Sequence, residues 1–249
     1  MRRLLQAILV VALFTTPVHA WIPTLLAGST SAAAATTPTI RSVGASAAGV
    51  SAQTCPTPAG AASGDLLIMF LKTEDQAIDT NDAAWTESAS SPNSSSGANR
   101  LTVFWLISDG TDDYLTTDSG LQNICVVVAI TAGTFNAATP FNVTGFDDDA
   151  SGTSVDIETI TTTVNNVLVL SGSTRSEPDA AGSTEFSSEA NASLTGVTER
   201  FDGTFLAGNG GALYIVSGVL ATAGATGSTT ATAATTGFGA NISLGIAPP

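Results

Sequence analysis

The stretch Gly64-Asp65-Leu66-Leu67-Ile68-Met69-Phe70-Leu71 sets a turn dipeptide in front of six consecutive apolar residues. A run this short, bounded by turn chemistry, reads as a β-strand buried on both faces. A weaker copy, Asn165-Asn166-Val167-Leu168-Val169-Leu170, follows in the second half of the chain. The echo continues outward. Trp85-Thr86-Glu87-Ser88 is matched by Val197-Thr198-Glu199-Arg200, Leu101-Thr102-Val103-Phe104-Trp105 by Ala212-Leu213-Tyr214-Ile215-Val216, and Asn123-Ile124-Cys125-Val126-Val127 by Gly239-Ala240-Asn241-Ile242-Ser243. The pattern predicts one β architecture laid down as two similar halves.

The chain of 249 residues is long enough to bury a sizeable core as a single all-β domain. It is 43% hydrophobic and only 11% charged, which excludes a disordered polyelectrolyte. Apolar segments and breakers alternate without a convincing helix. The expected strands are Ile40 to Val43, Val50 to Cys55, Leu66 to Lys72, Leu101 to Ser108, Ile124 to Thr131, Val155 to Ile160, Val167 to Ser171, Leu194 to Phe201, Ala212 to Leu220, Thr229 to Ala233 and Asn241 to Ile246. Turn-rich segments such as Pro56-Thr57-Pro58-Ala59-Gly60 and Gly208-Asn209-Gly210-Gly211 separate them. Short strands at this spacing predict a β-sandwich or jelly roll over residues 39–249. Such folds protect their edges with charge, proline or a partner subunit, and charge is scarce in these strands. A homo-oligomer is therefore expected.

The N-terminus reads as an export signal. Met1-Arg2-Arg3 is basic, Leu4 to Phe14 is apolar, and Val18-His19-Ala20 offers small residues to a signal peptidase, giving a leader of residues 1–20. An uncleaved anchor helix over residues 4–27 is the alternative, although Pro17 and Pro23 interrupt it. A start codon placed too far upstream is a third. Residues 21–38 read as a linker, with the low-complexity run Ser29 to Thr37 inside it. An exported chain permits a disulfide between Cys55 and Cys125. The competing reading leaves Cys125 as a small buried hydrophobe and Cys55 unpaired.

Charge and residue types limit the chemistry. The net charge is −14, and removal of Arg2 and Arg3 with the leader makes it two units more negative, so a phosphate backbone would be repelled and nucleic acid is excluded as a partner. The single histidine, His19, lies in the leader, which removes Ser-His-Asp and Cys-His catalysis and His-containing zinc sites. No catalytic residues and no cofactor are expected. Lys72, the one lysine, reads as a solvated charge at a strand end. Carboxylates cluster at Glu74, Asp75, Asp79 and Asp82, at Asp109, Asp112 and Asp113, and at Asp147, Asp148 and Asp149. Loops of this kind hold Ca²⁺ in some proteins, and Asp109, Asp112 and Asp113 are the candidate metal ligands, but none of the three follows the EF-hand spacing. Solvated acidic loops are the plainer reading, and a glycosidase pair of carboxylates is the remaining catalytic option. Trp85 and Tyr114, each beside acidic residues, are the candidate sugar-stacking aromatics, although the echo of Trp85 at Val197 favours a core plug, and Trp105, within Leu101 to Ile107, reads as core or interface.

Several motifs carry a resemblance. Pro38-Thr39-Ile40-Arg41-Ser42-Val43-Gly44, Gly64-Asp65-Leu66-Leu67-Ile68, Trp85-Thr86, Arg100-Leu101-Thr102-Val103-Phe104-Trp105, Asn191-Ala192-Ser193-Leu194-Thr195-Gly196-Val197-Thr198-Glu199-Arg200, Gly208-Asn209-Gly210-Gly211 and Ile242-Ser243-Leu244-Gly245-Ile246-Ala247-Pro248 together resemble a family of uncharacterised tailed-phage and prophage proteins. These are taken to be virion-associated β-sandwich proteins of tail or head-decoration type. The resemblance implies a structural or adhesive role on a virion or bacterial cell surface, among other subunits of that assembly, and no reaction. Leu106 departs from it where Lys is expected, and an export leader is unusual for virion proteins. The alternative function is a Ca²⁺-assisted carbohydrate-binding module, whose partner is a glycan.

Overall fold

The computed structural model describes residues 36–74, 84–95, 99–111, 122–176, 184–205 and 210–249. The expected leader or anchor, and most of the linker, lie outside them. Among the described residues every regular element is a strand, and no helix is long and apolar enough to cross a membrane.

The first sheet contains β1 (Ile40–Val43), β2 (Ala47–Gly49), β3 (Leu66–Thr73), β4 (Thr86–Glu87), β5 (Asn93–Ser95), β6 (Asn99–Ile107) and β7 (Asn123–Ile130). The second contains β8 (Phe141–Ile157), β9 (Val167–Arg175), β10 (Phe186–Ala190), β11 (Thr195–Phe205), β12 (Gly211–Leu220) and β13 (Thr229–Ile246). The first runs β1-β7-β3-β6-β4, with β2 also on β7 and β5 also on β6. The second runs β10-β13-β9-β12-β11, with β8 also on β13. All these pairs are antiparallel. The order β7-β3-β6-β4 is reproduced by β13-β9-β12-β11, and β1 stands to β7 as β8 stands to β13. Each sheet is thus a contiguous half of the chain, and the sequence echo marks equivalent strands.

The two sheets face each other across one apolar core. Leu66, Ile68, Phe70, Leu101, Val103, Val126 and Val128 come from the first, and Leu168, Leu170, Leu213, Ile215, Ile242 and Leu244 from the second. Alternation puts these residues on one face because successive side chains of a strand point to opposite sides. Gly172 is required at the centre: a Cβ there would lie 2.6 Å from the Phe70 ring.

The odd-numbered partners in β3 are as apolar as the even ones, and every residue of β3 is buried. Leu67, Met69 and Leu71 form a second cluster with Phe104, Leu106, Cys125 and Val127, covered by Cys55 and Trp85. The expected strand Val50 to Cys55 is instead mainly a crossing segment over this outer face, with β2 just before it. It ends at a disulfide between Cys55 and Cys125, whose Cα atoms are 5.8 Å apart.

The outer face of the second sheet is covered differently. Thr229 to Ala233 and Asn241 to Ile246, expected as two strands, form the single strand β13. It pairs with β8 along most of its length, with register breaks around Gly237. At those breaks the β8–β13 ribbon folds over. Its far leg then lies across its near leg, with Ser243 Oγ donating to Glu158 O at 3.3 Å and Asn241 Nδ2 to Asp156 O at 3.5 Å. The far leg brings Val155, Ile157, Ala231 and Ala233 over Ala212, Tyr214 and Val216, joined by Phe186 of β10.

Closing the loop of 70 residues between Cys55 and Cys125 restricts the unfolded chain, worth roughly 4 kcal/mol in the chain-entropy account. The Cys55→Ala/Cys125→Ala double variant is expected to lose about that much stability in urea titration, with an unchanged far-ultraviolet spectrum below the transition. An unchanged urea midpoint would show that the covering segment is held by packing alone.

Candidate functional site

The charged groups fall into a few sets, most of which hold the sheets and their covers together. Asp65, in the turn that starts β3, is fully buried and paired with Arg41, Nε to Oδ2 at 2.6 Å and Nη2 to Oδ1 at 3.0 Å. Its oxygens also accept the N–H groups of Ala62 at 2.9 Å and Ala132 at 2.8 Å. Burial pushes this carboxyl up, but the bonds from Arg41 and the two amides outweigh it and hold it below the ordinary range.

A second pair sits where the ribbon folds. Arg175, at the end of β9, is fully buried and donates from Nη1 to Asp149 Oδ2 at 2.9 Å and from Nη2 to Ser154 O. Asp149 Oδ1 accepts the N–H of Asp156 at 3.1 Å, and Asp147 Oδ1 that of Glu158 at 3.3 Å. The guanidinium occupies the space a side chain at position 239 would need, since a Cβ on Gly239 would meet Nη1 at 1.9 Å. Asp147, Asp148 and Asp149 were expected in a loop. They lie in strand β8, where Asp148 is exposed and its two neighbours secure the fold-back.

Asp147, Asp156 and Glu158, with Thr159 and Ser228, line an open cleft of about 360 Å³. Burial is the main reason the Asp147 carboxyl is pushed up to about 6. Asn241 and the Glu158 N–H oppose the rise, and the charges of Asp149 and Glu158 add to it. Asp156 accepts a hydrogen bond from Ser228, so this carboxylate also ties strand to loop. A further acid, Asp202 of β11, accepts the N–H groups of Glu185 at 3.1 Å and Phe186 at 2.9 Å and so anchors the start of β10. It too is raised to about 6, chiefly by burial. Beside it Tyr214 is buried and stacked on Phe186 with ring centroids 4.8 Å apart. Burial, then Glu189, Glu199 and Asp202, raise its hydroxyl.

Of the candidate ligand residues, Trp85 is 5% exposed and plugs the outer face of the first sheet, so it offers no ring to a sugar. Asp109 is exposed and accepts from the Thr111 N–H at 2.8 Å and from its hydroxyl, and the hydroxyl bond leads in lowering its carboxyl. Asp112, Asp113 and Tyr114 lie outside the described residues, as do Asp75, Asp79 and Asp82. Among the described residues no group of three or more His, Cys, Asp and Glu side chains is placed to hold a metal ion. Lys72, expected to be solvated, is fully buried on the inner face of β3, and Nζ donates to Gly210 O at 3.2 Å. Burial lowers its ammonium to about 8, with Glu74 opposing.

Another depression is a groove of about 390 Å³ between the edges of the two sheets, lined by Thr86, Glu87, Ala89, Trp105, Phe141, Asn142, Val143 and Thr144. Trp105 is half-buried, and Phe141 meets its ring edge-on at 5.6 Å and 84°. Sequence reasoning assigned Trp105 to the core or an interface and did not see the groove. Its far wall is strand β8, whose first residues had not been expected as a strand.

No known protein family, curated protein or solved structure matches this chain. The geometry therefore carries the functional argument.

Two expectations follow from the titrating groups. Asp147 and Asp202 have folded values above their unfolded ones, so the stability they contribute is complete below about pH 4 and is lost as pH rises through about 6. The melting midpoint is expected to rise as pH falls from 7.5 to 5. Asp147→Asn should flatten that rise and add ~1 kcal/mol at pH 7.5, discounted from the full shift because the carboxyl is half in solvent. A Tm profile of the variant identical to wild type would show that Asp147 titrates normally. Lys72 is the reverse case: its folded value is depressed, so the cost of burying the ammonium is present at neutral pH and vanishes above about pH 10. Lys72→Met is expected to stabilise by ~1–2 kcal/mol at pH 7. A loss of stability in urea titration would mean that the bond to Gly210 O matters more than the desolvation.

Proposed function

We propose that this chain is a non-enzymatic structural or adhesive module of a tailed-phage virion or bacterial cell surface, built to display its edges and loops from a rigid body. One observation carries this reading: both sheets have their outer faces sheathed by the chain itself, through Cys55 and Trp85 on one side and the folded ribbon on the other. Among the described residues, free strand edges lie along the rim, at β8, β11 and the short β4. A disulfide clamp suits an oxidising exterior. An acidic surface suits solubility.

The fold supports a sandwich duplicated by halves. A jelly roll would interleave its strands between sheets, whereas here β1–β7 and β8–β13 each stay within one sheet. The partner expected at the rim is another subunit of the same assembly. Phe146, on the β8 edge, is 55% exposed, and β11 carries the exposed Glu199, a charge of the kind that discourages unspecific edge pairing.

The test is immunogold labelling of intact source particles or cells with antibody raised against the purified chain. Labelling of the outer surface is the expected outcome. Antigen confined to the soluble cytosolic fraction would overturn the reading.

A further inference from the structure

We propose that the groove between Trp105 and Phe141 binds one or two rings of a neutral saccharide. The site arises from a mismatch between the edges of the two halves. In the first sheet β4 contributes only Thr86 and Glu87 to the ladder, opposite Trp105 and Phe104, so the sheet stops early beside the Trp105 indole. In the second, the equivalent strand β11 runs for 11 residues. The near leg of β8 supplies the opposite wall through Phe141, Asn142, Val143 and Thr144. The result is a half-buried indole at the mouth of the inter-sheet core, held at a fixed angle by Phe141.

The lining suits a sugar ring in three ways. First, an indole set nearly perpendicular to the Phe141 ring gives the C–H face of a pyranose an apolar platform without ordering a mobile side chain. Second, the polar groups around it are already oriented, and each keeps unused capacity. Asn142 exchanges two hydrogen bonds of 2.8 Å with Thr163, through Nδ2 to Thr163 Oγ1 and Oδ1 from Thr163 N. Its second amide hydrogen and second lone pair are left for a ligand. Glu87 Oε1 accepts from Ser91 Oγ at 3.0 Å, and its carboxylate has lone pairs to spare for sugar hydroxyls. Thr144 Oγ1 is held by Ser90 Oγ at 2.6 Å, which bridges the two walls. Third, the volume of about 390 Å³ lies at the small end of the range for small-molecule sites, enough for one or two rings.

Charge selects the class of sugar. Glu87 is exposed at the groove, no basic side chain lines it among the described residues, and the chain carries a net charge of −14. Sialylated, uronic and phosphorylated sugars would be repelled, whereas neutral hexoses and N-acetylhexosamines would not. The site differs from the one expected from the sequence: Trp85 is a plug, and Trp105, read as core or interface, presents the ring. The inference deepens the adhesive reading of the chain and rests on it for the setting in which the glycan is met. The two fail separately, because surface labelling and sugar binding by purified protein are independent measurements.

The test is calorimetric and tryptophan-fluorescence titration of the purified full chain with maltose, cellobiose, lactose and N,N′-diacetylchitobiose, with 3′-sialyllactose as the anionic control. Saturable binding of at least one neutral disaccharide is expected, with no binding of 3′-sialyllactose. Trp105→Ala should weaken it by about tenfold. Because Trp105 also touches the core, Glu87→Gln and Asn142→Ala, at the rim, provide the second arm, each expected to weaken binding by about threefold; Glu87→Gln should leave the melting midpoint in place, whereas Asn142→Ala also gives up the two bonds to Thr163 and is compared at a temperature well below its own midpoint. The proposal is overturned if no neutral disaccharide binds, if 3′-sialyllactose binds as tightly as the neutral sugars, or if the rim variants bind as wild type. A tryptophan signal that follows protein concentration and ignores sugar would equally overturn it, by assigning the groove to a second copy of the chain.

Discussion

Strands that are apolar on both faces have to be covered twice, and that constraint organises this molecule. In β3 the alternation of a half-buried strand is absent, because Leu66, Ile68 and Phe70 serve the inter-sheet core while Leu67, Met69 and Leu71 serve an outer cluster. Each buried side chain of this size is worth about 1.5–3 kcal/mol relative to exposure, so an uncovered outer face would forfeit much of the stabilisation. The two halves meet the demand in different ways. The first uses an irregular segment pinned by a disulfide, and the second folds its own edge ribbon back over itself.

The second solution explains the unusual charges. A ribbon that turns back across its own face brings backbone groups and polar side chains into a partly buried elbow, where most find hydrogen-bond partners. Arg175 and Asp149 occupy that elbow, with Asp147 and Asn241 beside them. Removing one member of such a buried pair strands the other's charge, at a cost of ~3–5 kcal/mol. Asp147 and Asp149, which look like part of a metal-binding loop in the sequence, are therefore hinge fittings. The raised proton affinity of Asp147 comes first from its burial and then from the neighbouring charges of Asp149 and Glu158.

The duplicated architecture was legible because long apolar runs survive as pattern: Leu66 to Leu71, Leu101 to Trp105 and Val167 to Leu170 all lie in the strands expected of them. What escaped was whatever depends on tertiary cover. The part of β8 before Val155, rich in Asp, Gly, Ser and Thr, has weak strand propensity and reads as an acidic loop; its pairing with β13 makes it a strand. Composition offered no means of telling that Lys72 and Arg175 are buried while Arg41 keeps a third of its side chain in water. Trp85 and Trp105 show the same difficulty in the site. Both are tryptophans next to Thr or Phe, and only the place where β4 stops decides which ring reaches solvent.

Because each sheet is a contiguous half of the chain, the order of synthesis matters. A chain emerging from its amino end can complete the hydrogen-bonded ladder of β1 to β7 before β8 exists. Yet the inner face of that ladder, from Leu66 to Phe70 and from Ile124 to Ile130, stays bare until the second half arrives to cover it. The vulnerable species in the life of this molecule is thus a well-formed sheet with no lid, ready to stack on another like it, and quick delivery of the carboxyl-terminal half is what protects it.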